Sequence, residues 1–151
     1  METKQGLNIS SPAFEHGGNI PSKFTCEGED INPELTIDAY PANTMSLVLI
    51  VDDPDAPGRT FDHWIVWNIE PQRKIKEDST PGETGVNSLG ENAYTGPCPP
   101  SGVHRYFFKV YALDTMLDLK SSSDKKTVEK AIEGHVVAYG ELVGKYIKQR
   151  K

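Results

Sequence analysis

The sequence predicts a mostly β domain, an antiparallel, Greek-key-like β-sandwich with peripheral α-helices near its C-terminus. Three observations carry this. From Leu7 to about Asp114, short apolar and aromatic runs are broken again and again by Pro and Gly. One run, Leu47-Val48-Leu49-Ile50-Val51, is apolar at every position, as a strand covered on both faces requires. Beyond Ser122 the apolar residues fall into helical spacing.

In chain order, Ile9 to Phe14 gives a weak first strand, and Leu35-Thr36-Ile37-Asp38-Ala39 alternates as a half-exposed one does. Leu47 to Val51 is the central strand. Phe61 to Ile69 and His104 to Leu113 are aromatic and β-branched, the composition a pleated, half-buried surface favours. Residues 70–102 carry little regular signal, and a long ordered loop in a small domain is more often functional than idle. Val128, Ala131 and Ile132 mark a helix with Ser122, Ser123 or Asp124 as cap and Gly134 as stop. Val136, Tyr139, Val143, Tyr146 and Ile147 repeat at three and four, which predicts a second amphipathic helix.

The chain has 151 residues, with 22 acidic against 16 basic side chains and a net charge of −6. That size suits a single domain, 1–151, with one real core. An acidic chain without a basic run does not fit duplex nucleic acid, whose phosphates need clustered Lys and Arg. Only the tail with Lys148, Arg150 and Lys151 is locally basic. No apolar run approaches the roughly 20 residues of a membrane helix, and Met1-Glu2-Thr3-Lys4-Gln5 does not resemble a signal peptide. The expectation is a cytoplasmic protein without integral membrane contact. Cys26 and Cys98 stand far apart with no neighbouring thiol, so they make no zinc pattern. Two reduced, partly buried thiols are expected. The alternative is one disulfide, unusual in ordinary cytosol but not in hyperthermophiles.

Three segments gather titratable and rigid residues. Asp52-Asp53-Pro54-Asp55-Ala56-Pro57 follows the buried strand and puts three carboxylates within four positions. If two were buried together, one would need a compensating donor to stay ionised. Phe61-Asp62-His63-Trp64 opens the next strand. By alternation His63 shares a face with Ile65 and Trp67, which fits a core histidine as well as a site residue. Tyr94 to Tyr106 holds the third set, where His104 and Tyr106 share one strand face and Arg105 is free to pair with an aspartate.

The inventory suits several chemistries. His63, His104 and an aspartate are metal-ligand types, but their spacing enforces no metal geometry and no metal is expected. There is no Gly-x-Ser-x-Gly elbow and no phosphate-binding loop ending in Gly-Lys-Ser/Thr. A Cys98–His104 nucleophilic pair lacks a helix N-terminus to activate the thiol.

Asp53-Pro54-Asp55-Ala56-Pro57, then His63-Trp64, then Tyr94-x-Gly96-Pro97-Cys98-Pro99-Pro100-x-Gly102-x-His104-Arg105-Tyr106 resembles the phosphatidylethanolamine-binding protein family, which includes the Raf kinase inhibitor proteins. The likeness is to its bacterial and archaeal branch, and Phe24-Thr25-Cys26-Glu27-Gly28-Glu29-Asp30-Ile31-Asn32-Pro33-Glu34-Leu35 is similar to that branch's early signature. Gly134-His135 through Gly144-Lys145-Tyr146 resembles its closing helix. The resemblance implies a β-sandwich with a small surface cavity for an anion or a phosphorylated small molecule such as phosphoethanolamine. It implies ligand-binding roles for Asp53, Asp55, His63, Tyr94, Gly96, Cys98, Pro99, His104 and Tyr106, no catalytic residues and no cofactor. Some relatives are described as homodimers and some as inhibitors of a kinase or a serine protease, so these protein partners enter as alternatives. So does an acid/base hydrolase or lyase built on His63, His104 and Asp53.

An anion held without Lys or Arg must rely on imidazole, phenol and backbone N–H donors. Gly96 and Cys98 are the expected N–H donors of the proline-rich loop. A carboxylate at Asp53 repels phosphate. It therefore holds a cationic histidine, or is protonated, or receives the ammonium of a zwitterionic head group.

Overall fold

The computed structural model describes residues 5–149. Met1 to Lys4, and Arg150 and Lys151 of the basic tail, lie outside them. The elements in chain order are β1 Gln5–Gly6, β2 Asn8–Ser10, a 3-10 turn Ser22–Phe24, β3 Leu35–Asp38, β4 Ser46–Asp53, β5 Phe61–Ile69, β6 Lys74–Ile75, β7 Glu83–Thr84, β8 Val103–Leu113, α1 Lys125–Ala131 and β9 Val136–Ile147. The described strands form two sheets, one of order β1-β9-β8-β4-β5-β7 and one of order β2-β3-β6. Pairing is antiparallel apart from β1 on β9 and a bridge from Asn19 to Lys145.

β4 is buried at all its positions, because both of its faces are covered. On one face Leu47, Leu49 and Val51 join Trp64, Val66, Phe108 and Val110 against Ile9, Leu35, Ile37 and Ile75 of the small sheet. On the other, Val48 and Ile50 join Ile65 and Trp67 against Leu117, Val128 and Ile132 around α1. The continuous apolar run is what this double coverage demands. α1 starts where the side chain of Asp124 accepts the Thr127 N–H at 3.0 Å, and Gly134 follows its end at φ 82°.

Two expectations need correction. The strand expected over Ile9 to Phe14 is β2, Asn8–Ser10, since the chain leaves the sheet before Pro12. The predicted second helix is the strand β9, so α1 is the one α-helix among the described residues. Ala138, Gly140, Leu142, Gly144 and Tyr146 alternate inward along β9. Two of those inward positions are glycine, so hydrophobicity does not report the period of two. Both glycines are required by close approach. A Cβ at Gly140 would lie 2.2 Å from the Leu7 carbonyl oxygen, and one at Gly144 would lie 2.6–2.7 Å from Ile20 and Phe14. The segments around Leu7 and Gly17–Ile20 hydrogen-bond along the outer edge of β9 and so cover it.

Candidate functional site

β4, β5 and β8 are adjacent and end together, which brings the three polar segments to one place. They surround a cavity of about 410 Å³. Its wall comprises Asp53 at the end of β4, Ala56 and Pro57 from the following turn, Phe61 and His63 of β5, and His104 and Tyr106 of β8. Leu89, Thr95, Gly96, Cys98, Pro99, Pro100 and Cys26 complete it.

His63 reaches this wall through an irregularity. Val51 pairs with Trp64 and Asp52 with Asp62, so one step along β4 matches two along β5, and His63 is the extra residue. Such a bulge re-aims a side chain. Strict alternation would send His63 to the α1 side with Ile65 and Trp67. The bulge sends it to the cavity, where its ring meets Phe61 at 4.7 Å and the edge of Tyr106 at 5.3 Å. His104 and Tyr106 share a face as alternation predicts, their rings stacked 6.4 Å apart.

Each histidine is oriented through Nδ1. His63 Nδ1–H donates to the Thr95 carbonyl at 2.7 Å, and His104 Nδ1 lies 2.7 Å from Asp53 Oδ2. A carbonyl and an ionised carboxylate only accept, so both Nδ1 atoms carry the proton. Nε2 of each ring has no protein partner among the described residues. Burial pushes the His63 pKa below its ordinary 6.5, partly countered by the Thr95 hydrogen bond and by Asp53. Tyr106 is 1% exposed, and its hydroxyl is buried with no hydrogen-bond partner. Burial, reinforced by the Asp53 charge, raises its pKa and keeps it a protonated donor.

Asp53 is committed to the protein. Oδ2 holds His104, and Oδ1 accepts the Asp55 N–H at 2.7 Å. Of the three roles open to it in sequence, holding a histidine is the one its contacts match. Asp55 does not line the cavity. Arg105 grips it by Nε–Oδ2 and Nη2–Oδ1 hydrogen bonds of 2.9 Å each, and the Arg105 N–H adds a third. The guanidinium holds the Asp55 carboxyl at a pKa of about 2. Asp55 thus pins the turn that positions Asp53.

Tyr94 does not line the cavity either. Its hydroxyl donates to the Phe24 carbonyl at 2.7 Å and its ring meets Trp64 edge-on. Gly96 lines the wall, but its N–H donates to Asp30 Oδ1 at 2.7 Å and is not free for an anion. Gly96 is glycine because a Cβ there would lie 2.2 Å from the Phe24 carbonyl oxygen. The Cys98 N–H has no partner among the described residues, and Cys98 and Pro99 line the wall as expected. The expectation of reduced, partly buried thiols is overturned: Cys26 and Cys98 form a disulfide, and both residues are exposed. The early signature around Phe24–Asp30 is therefore the buttress of the 94–98 loop.

Sequence reasoning missed Leu89. It is 58% exposed at the mouth of the cavity, on a turn whose backbone is pinned by buried Asn87 through the N–H groups of Leu89 and Glu91. A single Leu in a polar loop gives no periodic signal. Among the described residues no cluster of three His, Cys, Asp or Glu is placed to hold a metal ion.

The match to the family model for phosphatidylethanolamine-binding protein runs over residues 10–147. The chain belongs to the phosphatidylethanolamine-binding protein family. It is 53% identical to a UPF0098 protein of Pyrococcus horikoshii, over 96% of this chain and 78% of that protein. It is 46% identical to a UPF0098 protein of Methanothermobacter thermautotrophicus, over 93% of this chain and 98% of the relative. A crystal structure of a phosphatidylethanolamine-binding protein homologue from Chlamydia trachomatis superposes with a TM-score of 0.92 at 38% identity, covering 97% of this chain and all of the other. The mostly β fold and the family are thus shared with these relatives. No helix of the described residues is long and apolar enough to cross a membrane.

Proposed function

We propose that the protein is a non-catalytic binding module whose cavity holds a small anion or the phosphorylated end of a small molecule. The observation that carries this reading is the Tyr106 hydroxyl, a buried donor with no partner in a wall that also offers Nε2 of His63 and His104. An unsatisfied buried donor costs about 1–3 kcal/mol, which an accepting phosphate oxygen would recover. Asp53 orients the His104 ring through Nδ1, so the wall offers imidazole groups without Lys or Arg. A zwitterionic phosphoethanolamine group fits less well at Asp53, whose two oxygens are already engaged.

The test is an NMR titration with inorganic phosphate and then phosphoethanolamine at pH 6 and pH 8. An anion favours protonated His63, whose free pKa is depressed, so binding takes up a proton and affinity rises as pH falls. Saturable shifts confined to Asp53, His63, Thr95–Cys98 and His104–Tyr106, stronger at pH 6, are expected. No saturation at millimolar ligand would refute the reading.

A second reading is favoured by one observation, the Asp53–His104 pair, since a carboxylate-oriented histidine is also what a general base requires. An acid/base hydrolase would show turnover of phosphate esters that vanishes in His104→Ala.

A further inference from the structure

We propose that the Cys26–Cys98 disulfide is a reactive wall of the cavity, exchanging with small thiols that carry an anionic group. The inference rests on the anion-binding reading above. Both cysteines are exposed, and both line the cavity. Exposed disulfides are the labile ones, open to attack by thiolates.

The wall does not depend on the bridge for its shape. Cys26 N–H donates to the Pro97 carbonyl at 3.1 Å, Gly96 N–H to Asp30 at 2.7 Å, and the Tyr94 hydroxyl to the Phe24 carbonyl at 2.7 Å. These three bonds join the same two segments, so the opened cysteines stay neighbours and the bridge can re-form.

The same cavity supplies the anion pole, formed by His63, His104 and Tyr106. A thiol whose carboxylate or phosphate rests there is held within the volume that the bridge also borders, which raises its effective concentration at sulfur. Its thiolate attacks one Sγ. A new S–S bond forms, the Cys26–Cys98 bond breaks, and the electron pair leaves on the other Sγ. A second thiolate attacks the mixed disulfide, releasing the small-molecule disulfide and leaving the two protein thiolates. The small thiol is oxidised, the protein disulfide is reduced, and no other oxidant is needed. The net charge of −6 opposes the approach of an anion, so a preference for anionic thiols has to arise in the cavity itself.

The experiment compares 3-mercaptopropionate with 2-mercaptoethanol on the native full chain. Exchange is followed by acid quenching and intact mass, with rates expressed per thiolate, and phosphate binding is measured in parallel by NMR. The anionic thiol is expected to react about tenfold faster. Saturating phosphate should remove that advantage, and Tyr106→Phe should bring the ratio towards one. Intact phosphate binding with equal rates, or with no exchange short of denaturation, would overturn the exchange proposal alone. Absent phosphate binding would overturn the site reading and the exchange proposal with it.

Discussion

Asp52 and Asp53 are sequence neighbours, both almost fully buried, and they point to opposite faces of β4. Asp52 lies beneath the outer face, 3.0 Å from Lys109 Nζ and 3.2 Å from Lys125 Nζ, and Lys125 also lies 2.9 Å from Asp62 Oδ1. Its partners are two lysine ammonium groups, neither of which lines the cavity. Asp53 has a histidine and one backbone N–H as partners, and that histidine lines a cavity. Both answer the cost of burying a carboxylate with a donor. Only the second has its side-chain partner in the cavity wall. A buried carboxylate contributes to a cavity when its partner lines that cavity and has a second polar atom to offer.

Neutralising each aspartate in turn tests whether the two faces of β4 are independent. Asp52→Asn leaves two part-buried lysines facing an amide, and removing one member of a buried ionic cluster costs about 3 kcal/mol. Chemical denaturation should show that loss while phosphate affinity stays near wild type. Asp53→Asn should cost about 1 kcal/mol in stability. It should nevertheless weaken phosphate, because His104 loses the carboxylate that orients its ring. Equal loss of phosphate binding in the two variants would mean that the faces are not independent.

Tyr106→Phe sharpens the contrast from the cavity side. The hydroxyl has no partner in the free protein, so its removal should raise stability by up to about 1 kcal/mol. The same change should weaken phosphate about tenfold by deleting a donor. Calorimetric titration and thermal unfolding of one sample read both signs. A destabilised variant that binds as well as wild type would show that the hydroxyl serves packing.

Much of this contrast is legible in the sequence. The full burial of β4 follows from Leu47 to Val51, and the common face of His104 and Tyr106 follows from strand alternation. The pairing of Arg105 with an aspartate is readable too, because alternation turns it away from His104 and Tyr106 while the Asp52–Asp55 segment supplies carboxylates. The aim of His63 is readable only through the family resemblance and not from alternation, since the bulge that turns it depends on how β5 pairs with β4. β9 was hidden by Gly140 and Gly144, whose place is set by segments more than a hundred residues earlier in the chain. Tyr94 and Gly96 carried the family pattern, yet their partners lie in the early signature, so pattern alone could not separate wall from buttress. The disulfide depends likewise on two segments 72 positions apart being brought together.

The smallest expected effect concerns His63, whose proton separates the cavity face from the lysine-locked face. Burial depresses its pKa in the folded protein, whereas the unfolded chain titrates near 6.5. As pH falls through that value the unfolded chain binds a proton before the folded one does. Stability therefore decreases with falling pH, until the folded pKa is passed and the difference levels off. The dependence should be visible as the difference between wild type and His63→Gln in denaturation curves between pH 8 and pH 5. Saturating phosphate should reduce that difference, because an anion beside the ring lets the folded protein take up the proton as well. A wild-type curve parallel to that of the variant would mean that the ring is not held neutral, and that the contrast between the two faces does not extend to the second histidine.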